Sequence, residues 1–198
     1  MRYDSQHKQK TRQRILDEAA SAIRAEGPHR VGVAGVMKKA GLTHGGFYAH
    51  FASKEEMVAE AIGAMFEGPY SRFEKQVAGL APAEGLAAYV DFYLSPRHRD
   101  ARDRGCPLPA LAGDLARMEP EARERFAAGA EGLRRAVAGL LHAMGREDSD
   151  ALASSAIAEM VGAMSLARAV ADGQRSDAIL RTSREALKRR LGLDQGNP

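Results

Sequence analysis

Tryptophan is missing from the 198 residues, cysteine occurs once, and aromatic residues make up only 6% of the chain. The lone cysteine excludes an internal disulfide framework and any cysteine-cluster metal site. With few aromatics, the apolar content is mostly Ala, Leu, Val, Ile and Met, which favours packed helices over a sheet. No apolar run approaches the roughly 20 residues that span a bilayer, and the opening MRYDSQHKQKTRQR has no apolar stretch of the signal-peptide kind. These absences imply a soluble, cytoplasmic protein with no membrane partner. Also missing are a glycine-rich phosphate loop after a strand, a metal-ligating histidine pair on a well-formed helix, and a nucleophile with a placed base. Cys106 with His98 or His142 is the pairing an enzyme reading would have to use, and nothing in the sequence puts them together. The expectation is therefore no catalysis and no cofactor.

What is present is an uneven distribution of charge. Residues 1–54 hold ten Lys or Arg against four acids, a net +6, so the remainder carries about −3 of the total of +3. A basic end on a slightly acidic chain is the footprint of a nucleic-acid-binding module joined to a module with another task. A helical protein-interaction module without DNA binding is the other alternative to an enzyme, and this basic end disfavours it.

The basic end contains VAGVMKKAGLTHGGFYAHFASK, residues 33–54. Lys38 and Lys39 close one short helix, Gly41 supplies a position able to take positive φ, and Thr43 offers a hydroxyl to cap the next helix. That order fits a helix-turn-helix. Two glycines, Gly45 and Gly46, at the start of the second helix reduce bulk where something approaches closely. Three aromatics and two histidines then crowd into residues 43–51, too many to bury together, so some of them face outward.

Along the chain, residues 1–10 lack periodicity and suggest a flexible arm. Ile15, Ala19 and Ile23 form an apolar stripe on a first helix capped by Thr11 and ended at Gly27-Pro28; Arg12 and Arg14, near its start, are candidates for holding an external anion. Ser53 and Glu56 form a capping box that opens a long helix, expected to pass a kink at Gly68-Pro69. Further helices follow Pro82, Cys106-Pro107 and Pro120, while residues 97–105, RHRDARDRG, are expected to be an exposed loop. The last two helices, spanning about 148–172 and 176–191, have broad apolar and small-residue faces suited to pairing with a second copy.

The residues from Ala40 to Glu55, AGLTHGGFYAHFASKE, resemble the DNA-binding domain of the TetR family of bacterial transcriptional regulators. Ala-Gly, a short polar start, Tyr-x-His-Phe and Ser-Lys-Glu are specific in combination. The resemblance covers about residues 11–61; the rest matches in length and in succession of helices only. It implies an all-α fold, with an N-terminal arm and helix-turn-helix over 1–54 and a helical ligand-binding and dimerisation domain over 55–198. It also implies a homodimer on double-stranded operator DNA, with Thr43, His44, Gly45 and Gly46 facing the major groove and Tyr48, His50 and Lys54 contacting phosphates. Arg12 and Lys39 complete the candidate DNA-binding set. Gly32, where Ser or Thr is usual, and Gly35 depart from the pattern and weaken the helix that Gly32 opens and Gly35 lies in, about Val33 to Ala40.

The partner expected for the larger domain is a small-molecule effector or an electrophile. Candidate contacts are the aromatic and flexible side chains Phe66, Tyr70, Tyr89, Phe92, Tyr93, Leu111, Phe126, Met160 and Met164, with Cys106. Cys106 follows three arginines and stands at an expected helix start, both of which lower a thiol pKa, so it is either a sensor or a small capping residue. The functional expectation is a ligand-responsive regulator, most simply a repressor, released by a small molecule or by modification of Cys106.

Overall fold

The structure is a computed structural model that describes residues 2–193. Helices account for all its regular structure among the described residues, in the order α1 Arg2–Glu26, α2 Val33–Lys39, α3 Lys54–Ala64, α4 Glu67–Val77, α5 Pro82–Tyr93, α6 Pro96–Asp100, α7 Leu108–Leu111, α8 Pro120–Ala143, α9 Ser149–Ala169 and α10 Gly173–Leu191. Two short 3₁₀ runs, His44–Ala49 and Leu115–Arg117, lie between them.

The helices fall into two compact units, and the division differs from 1–54 and 55–198. The first takes the chain up to residue 68 and again 106–129; the second takes 69–105 and the chain from 130 onward. In the first unit the expected stripe is the centre of the core: Ile15, Ala19 and Ile23 are fully buried, with Met37, Phe47, Phe51, Met57 and Ile62 against them. Burial of each large side chain contributes about 1.5–3 kcal/mol. Leu111 and Leu115 return from far along the sequence to the same core.

Four expectations about local structure need correction. α1 begins at Arg2, so the segment before Thr11 is helical and Thr11 caps nothing. Its Gln, Lys and Arg residues are good helix formers, and helix propensity without an apolar stripe leaves no periodic signal. The long helix after Ser53 is interrupted at Met65-Phe66 rather than kinked at Gly68-Pro69; Pro69 sits in the first turn of α4, where its missing N–H costs nothing. The charged segment 97–105 is not simply an exposed loop. It contains much of α6, whose cap Ser95 Oγ accepts from His98 N at 3.2 Å, and His98 is buried. The helix after Cys106 starts at Leu108 with Pro107 at its cap, leaving Cys106 outside it and 4% exposed.

In the second unit α9 packs on α10, and α5 and α6 pack against this pair and each other. Asp172 caps α10 by accepting from Arg175 N at 2.8 Å, and Gly192, at φ 69°, closes it in the left-handed region. Ser176 Oγ donates to Ala167 O at 2.6 Å while Arg99 donates to Ser176 Oγ at 2.8 Å, which ties α6, α9 and α10 together. Among the described residues no helix is long and apolar enough to cross a membrane.

Candidate nucleic-acid interface

The turn after α2 is built from its own backbone. Gly41, at φ +67°, donates to Lys38 O at 3.0 Å, and Leu42 donates to Met37 O at 2.8 Å, the pair of bonds that defines a Schellman stop. Glycine takes this conformation without the cost that a Cβ brings. α2 itself has the weak start expected of it, since Gly32 makes no side-chain cap bond.

The segment that follows is shorter and tighter than an α-helix. Residues 44–49 form a 3₁₀ run, Thr43 is extended at its cap position, and its hydroxyl makes no capping bond. With Gly45 and Gly46 at its start, the segment has little intrinsic helix propensity, so its shape rests on packing. Phe47 and Phe51 supply it: both are buried, and their rings stack at 5.6 Å. With those rings turned inward, Thr43, His44, Gly45 and Tyr48 are left exposed, Tyr48 by 70%, and its ring meets Phe47 edge-on at 5.3 Å. Gly46, His50 and Lys54 are half-buried beside them.

Lys54 is the first residue of α3. The expected capping box is present in modified form: Ser53 Oγ accepts from Glu56 N at 3.0 Å, while the Glu56 carboxylate accepts from Ala52 N at 2.5 Å, one residue before the cap. The start of α3 is therefore fixed directly behind the exposed segment.

Arg12 is held inside the unit. Its guanidinium pairs with Glu60, lies 3.8 Å from Glu56, donates to His50 O at 3.3 Å and sits 4.5 Å from the Phe51 ring centroid. One side chain of α1 thus joins the end of the 3₁₀ segment to α3. Lys39 is exposed and 3.6 Å from Glu26, whereas Lys38 pairs with no carboxylate among the described residues.

His50 is the most unusual group here. Its Nδ1 is buried without a hydrogen-bond partner, and its pKa is lowered, first by burial and then by the positive charges of Lys8 and Arg12. Lys8 is an electrostatic neighbour that sequence reading placed in a loose arm. The signal was the spacing of Lys8 and Arg12, four apart and so on one face once α1 extends past Thr11. Lys8, Lys10 and Arg14 are all exposed.

The candidate effector contacts divide between the units. Phe66, Cys106, Leu111 and Phe126 belong to the first, where Phe66 and Phe126 meet edge-on at 5.7 Å. Tyr70, Tyr89, Phe92, Tyr93, Met160 and Met164 belong to the second, where Tyr89 contacts Phe73 and Tyr93. Tyr89, Tyr93, Met160 and Met164 are buried in that core. Phe126 lines a groove of about 570 Å³ and Phe92 a cavity of about 280 Å³. Among the described residues no three His, Cys, Asp or Glu gather as a metal site would require.

Comparison with known proteins agrees with this geometry. Residues 15–61 match the family described as bacterial regulatory proteins, tetR family, and residues 82–183 match the tetracyclin repressor-like C-terminal domain. The chain is 37% identical over 76 residues to the uncharacterized HTH-type transcriptional regulator YdgC of Bacillus subtilis (strain 168), a match spanning 38% of this chain and 37% of that relative's length. A crystal structure of a TetR transcriptional regulator from Chloroflexus aurantiacus J-10-FL superposes with a TM-score of 0.80 at 27% identity, covering 94% of this chain and 96% of that one. The reduced form of Escherichia coli NemR shares the fold, with a TM-score of 0.79 at 20% identity over 91% of this chain and 96% of that one.

Proposed function

Because the chain belongs to the TetR family of bacterial transcriptional regulators and is a DNA-binding protein rather than an enzyme, we propose that it is a ligand-responsive repressor acting as a homodimer. The observation that carries the reading is the outward set Thr43, His44, Gly45 and Tyr48 on a segment whose other side is anchored by Phe47 and Phe51. Small residues let the backbone approach base edges, and Thr43 and His44 supply hydrogen-bonding groups for them. Tyr48, His50 and Lys54 serve as phosphate contacts that set position without reading sequence. Arg12 acts indirectly in this reading, since its charge is already taken by Glu60; it positions the His50 carbonyl. Lys39, with Lys38 and Lys8, adds positive potential around the contact.

Two chains pairing through α9 and α10 would present two such segments to successive major grooves about 34 Å apart on a near-palindromic operator. Leu166 on α9 is 61% exposed, and a second copy would cover it. Release follows if an effector binds one conformation better than the other and the start of α3, with Lys54, shifts. Of the two release routes, a small ligand is favoured over modification of Cys106, because a thiol 4% exposed gives an electrophile little access.

The test is direct. DNA flanking the gene, titrated with purified protein, should show saturable binding to one discrete inverted repeat, weakening steeply as salt rises. Equal affinity for that fragment and for random DNA would overturn the proposal.

A further inference from the structure

The cavity beside His98 in the second unit encloses about 280 Å³ and is walled by Arg72, Phe92, Arg97, His98, Ala101 and Arg104. Three arginines and no carboxylate line it. Two of the carboxylates close in sequence are engaged elsewhere, Asp100 with Arg99 at 2.8 Å and Asp91 with Lys188 at 2.9 Å, while Asp103 lies 3.4 Å from Arg104 and is that arginine's counter-ion. Arg72 and Arg97 pair with no carboxylate among the described residues.

Arg97 and Arg104 are exposed, and Arg72 is the anchored member of the group. Arg72 is half-buried, its guanidinium 5.4 Å from the Phe92 ring centroid, and Phe92 in turn stacks on His98 at 5.3 Å with the planes 23° apart. His98 is itself fixed, with Nδ1 donating to Tyr93 O at 2.8 Å, and burial lowers its pKa to about 4, so at neutral pH it carries no charge into the cavity. The rings make a rigid wall, and the guanidinium groups are the chemistry left open. Guanidinium is the side chain best matched to two oxygens of one carboxylate or phosphate, and Arg72 and Arg97, which have no carboxylate partner among the described residues, gain most from a ligand that brings one. The volume is below that of a drug-sized site, which restricts the ligand to a small molecule.

We propose that the Arg72–Arg97–Arg104 cavity is an oxyanion site, and that it takes a small effector carrying two or more negative charges on phosphate or carboxylate groups. The consequence for DNA rests on the repressor reading above; the binding itself does not.

Calorimetric titration of the full chain without DNA, at constant ionic strength, separates the two. Inorganic phosphate or citrate should bind saturably and acetate should not, with phosphate or citrate alone identifying the class. Arg97→Gln, at an exposed position that does not hold the fold, should weaken binding at least tenfold, and Arg72→Lys should weaken it less than Arg72→Gln. Failure of both polyanions to saturate, or equal affinity in wild type and Arg97→Gln, overturns the site. In a second arm the bound polyanion should weaken operator binding by wild type at least tenfold and by Arg97→Gln far less. Polyanion binding with unchanged operator affinity overturns the effector role, whereas loss of operator binding by the unliganded protein would count against the repressor reading instead.

Discussion

The guanidinium of Arg12 on α1 pairs with the carboxylate of Glu60 on α3, and the same guanidinium holds the backbone oxygen of His50 at the end of the exposed segment. A charge assigned by residue type to DNA is therefore spent on aligning three elements. Arg12→Ala should cost about 1–3 kcal/mol in denaturant unfolding, because it leaves a half-buried carboxylate without its partner. It should also weaken operator binding and speed hydrogen exchange at Phe47 and Phe51. Unchanged unfolding and unchanged affinity together would remove the bracing role, and a double-mutant cycle with Glu60→Gln measures the coupling directly.

Tyr48→Ala and Lys54→Ala should each weaken binding to operator and random DNA alike, and Lys54→Ala should lower the salt slope by about 1. His44→Ala should instead change the ratio of the two affinities. Full footprint protection by the double variant Tyr48→Ala, Lys54→Ala would refute the assignment.

In the free protein His50 is held below its ordinary pKa, and a phosphate placed against it would raise that value. The complex then binds more protons than the free chain, so operator affinity should increase as pH falls from about 7.5 to about 6. Fluorescence anisotropy at several pH values reads this directly. His50→Gln should flatten the dependence; an undiminished slope in that variant would exclude His50 as its source.

His98 gives a stability dependence of opposite character. Its pKa is about 4 in the folded chain against an ordinary 6.5, so the folded state resists the proton that the unfolded state accepts. Stability is fully present above about 6.5 and should decline as pH falls toward about 4, by about 3 kcal/mol from this group. Unfolding curves of wild type and His98→Gln across that range should converge at low pH. Parallel curves would mean that His98 does not titrate on unfolding.

Gly41 and Gly129 test two different demands for glycine. Nothing lies within 4 Å of a Cβ at Gly41, so Gly41→Ala should cost about 1–2 kcal/mol through its φ of +67° alone, with Asn restoring part. A Cβ at Gly129 would fall 2.2 Å from Phe66 Cδ2, so Gly129→Ala should cost about 1–3 kcal/mol by overpacking. Thermal melts of the two variants measure both costs, and an unchanged midpoint would contradict either one.

Much of the chain was legible where local signals agree with packing. Ser53 with Glu56, the Lys-Ala-Gly turn and the stripe Ile15, Ala19, Ile23 each state a local rule that the tertiary structure keeps. That some ring of residues 43–51 faces outward could be read because the segment holds more rings than it can bury, and Tyr48 is the one left exposed. Where signals conflict, reading failed for identifiable reasons. Residues 97–105 look like a solvated loop by charge, yet Ser95 caps a short helix there and His98 is buried. Residue type could not show that Arg12 finds Glu60, 48 positions away, or that Arg72 and Arg97 meet at one cavity. Neither could it show that 106–129 belongs with the start of the chain.

That return has a bearing on inheritance by recombination. Exchanging the first 68 residues between relatives by a single crossover would separate Ile15 and Ile62 from Leu111, Leu115 and Ala122, which fill the same core. A functional hybrid that keeps this core intact needs three crossovers, near 68, 105 and 129, carrying 106–129 along with the DNA-reading end. The second unit can diverge without disturbing this core, whereas 106–129 cannot.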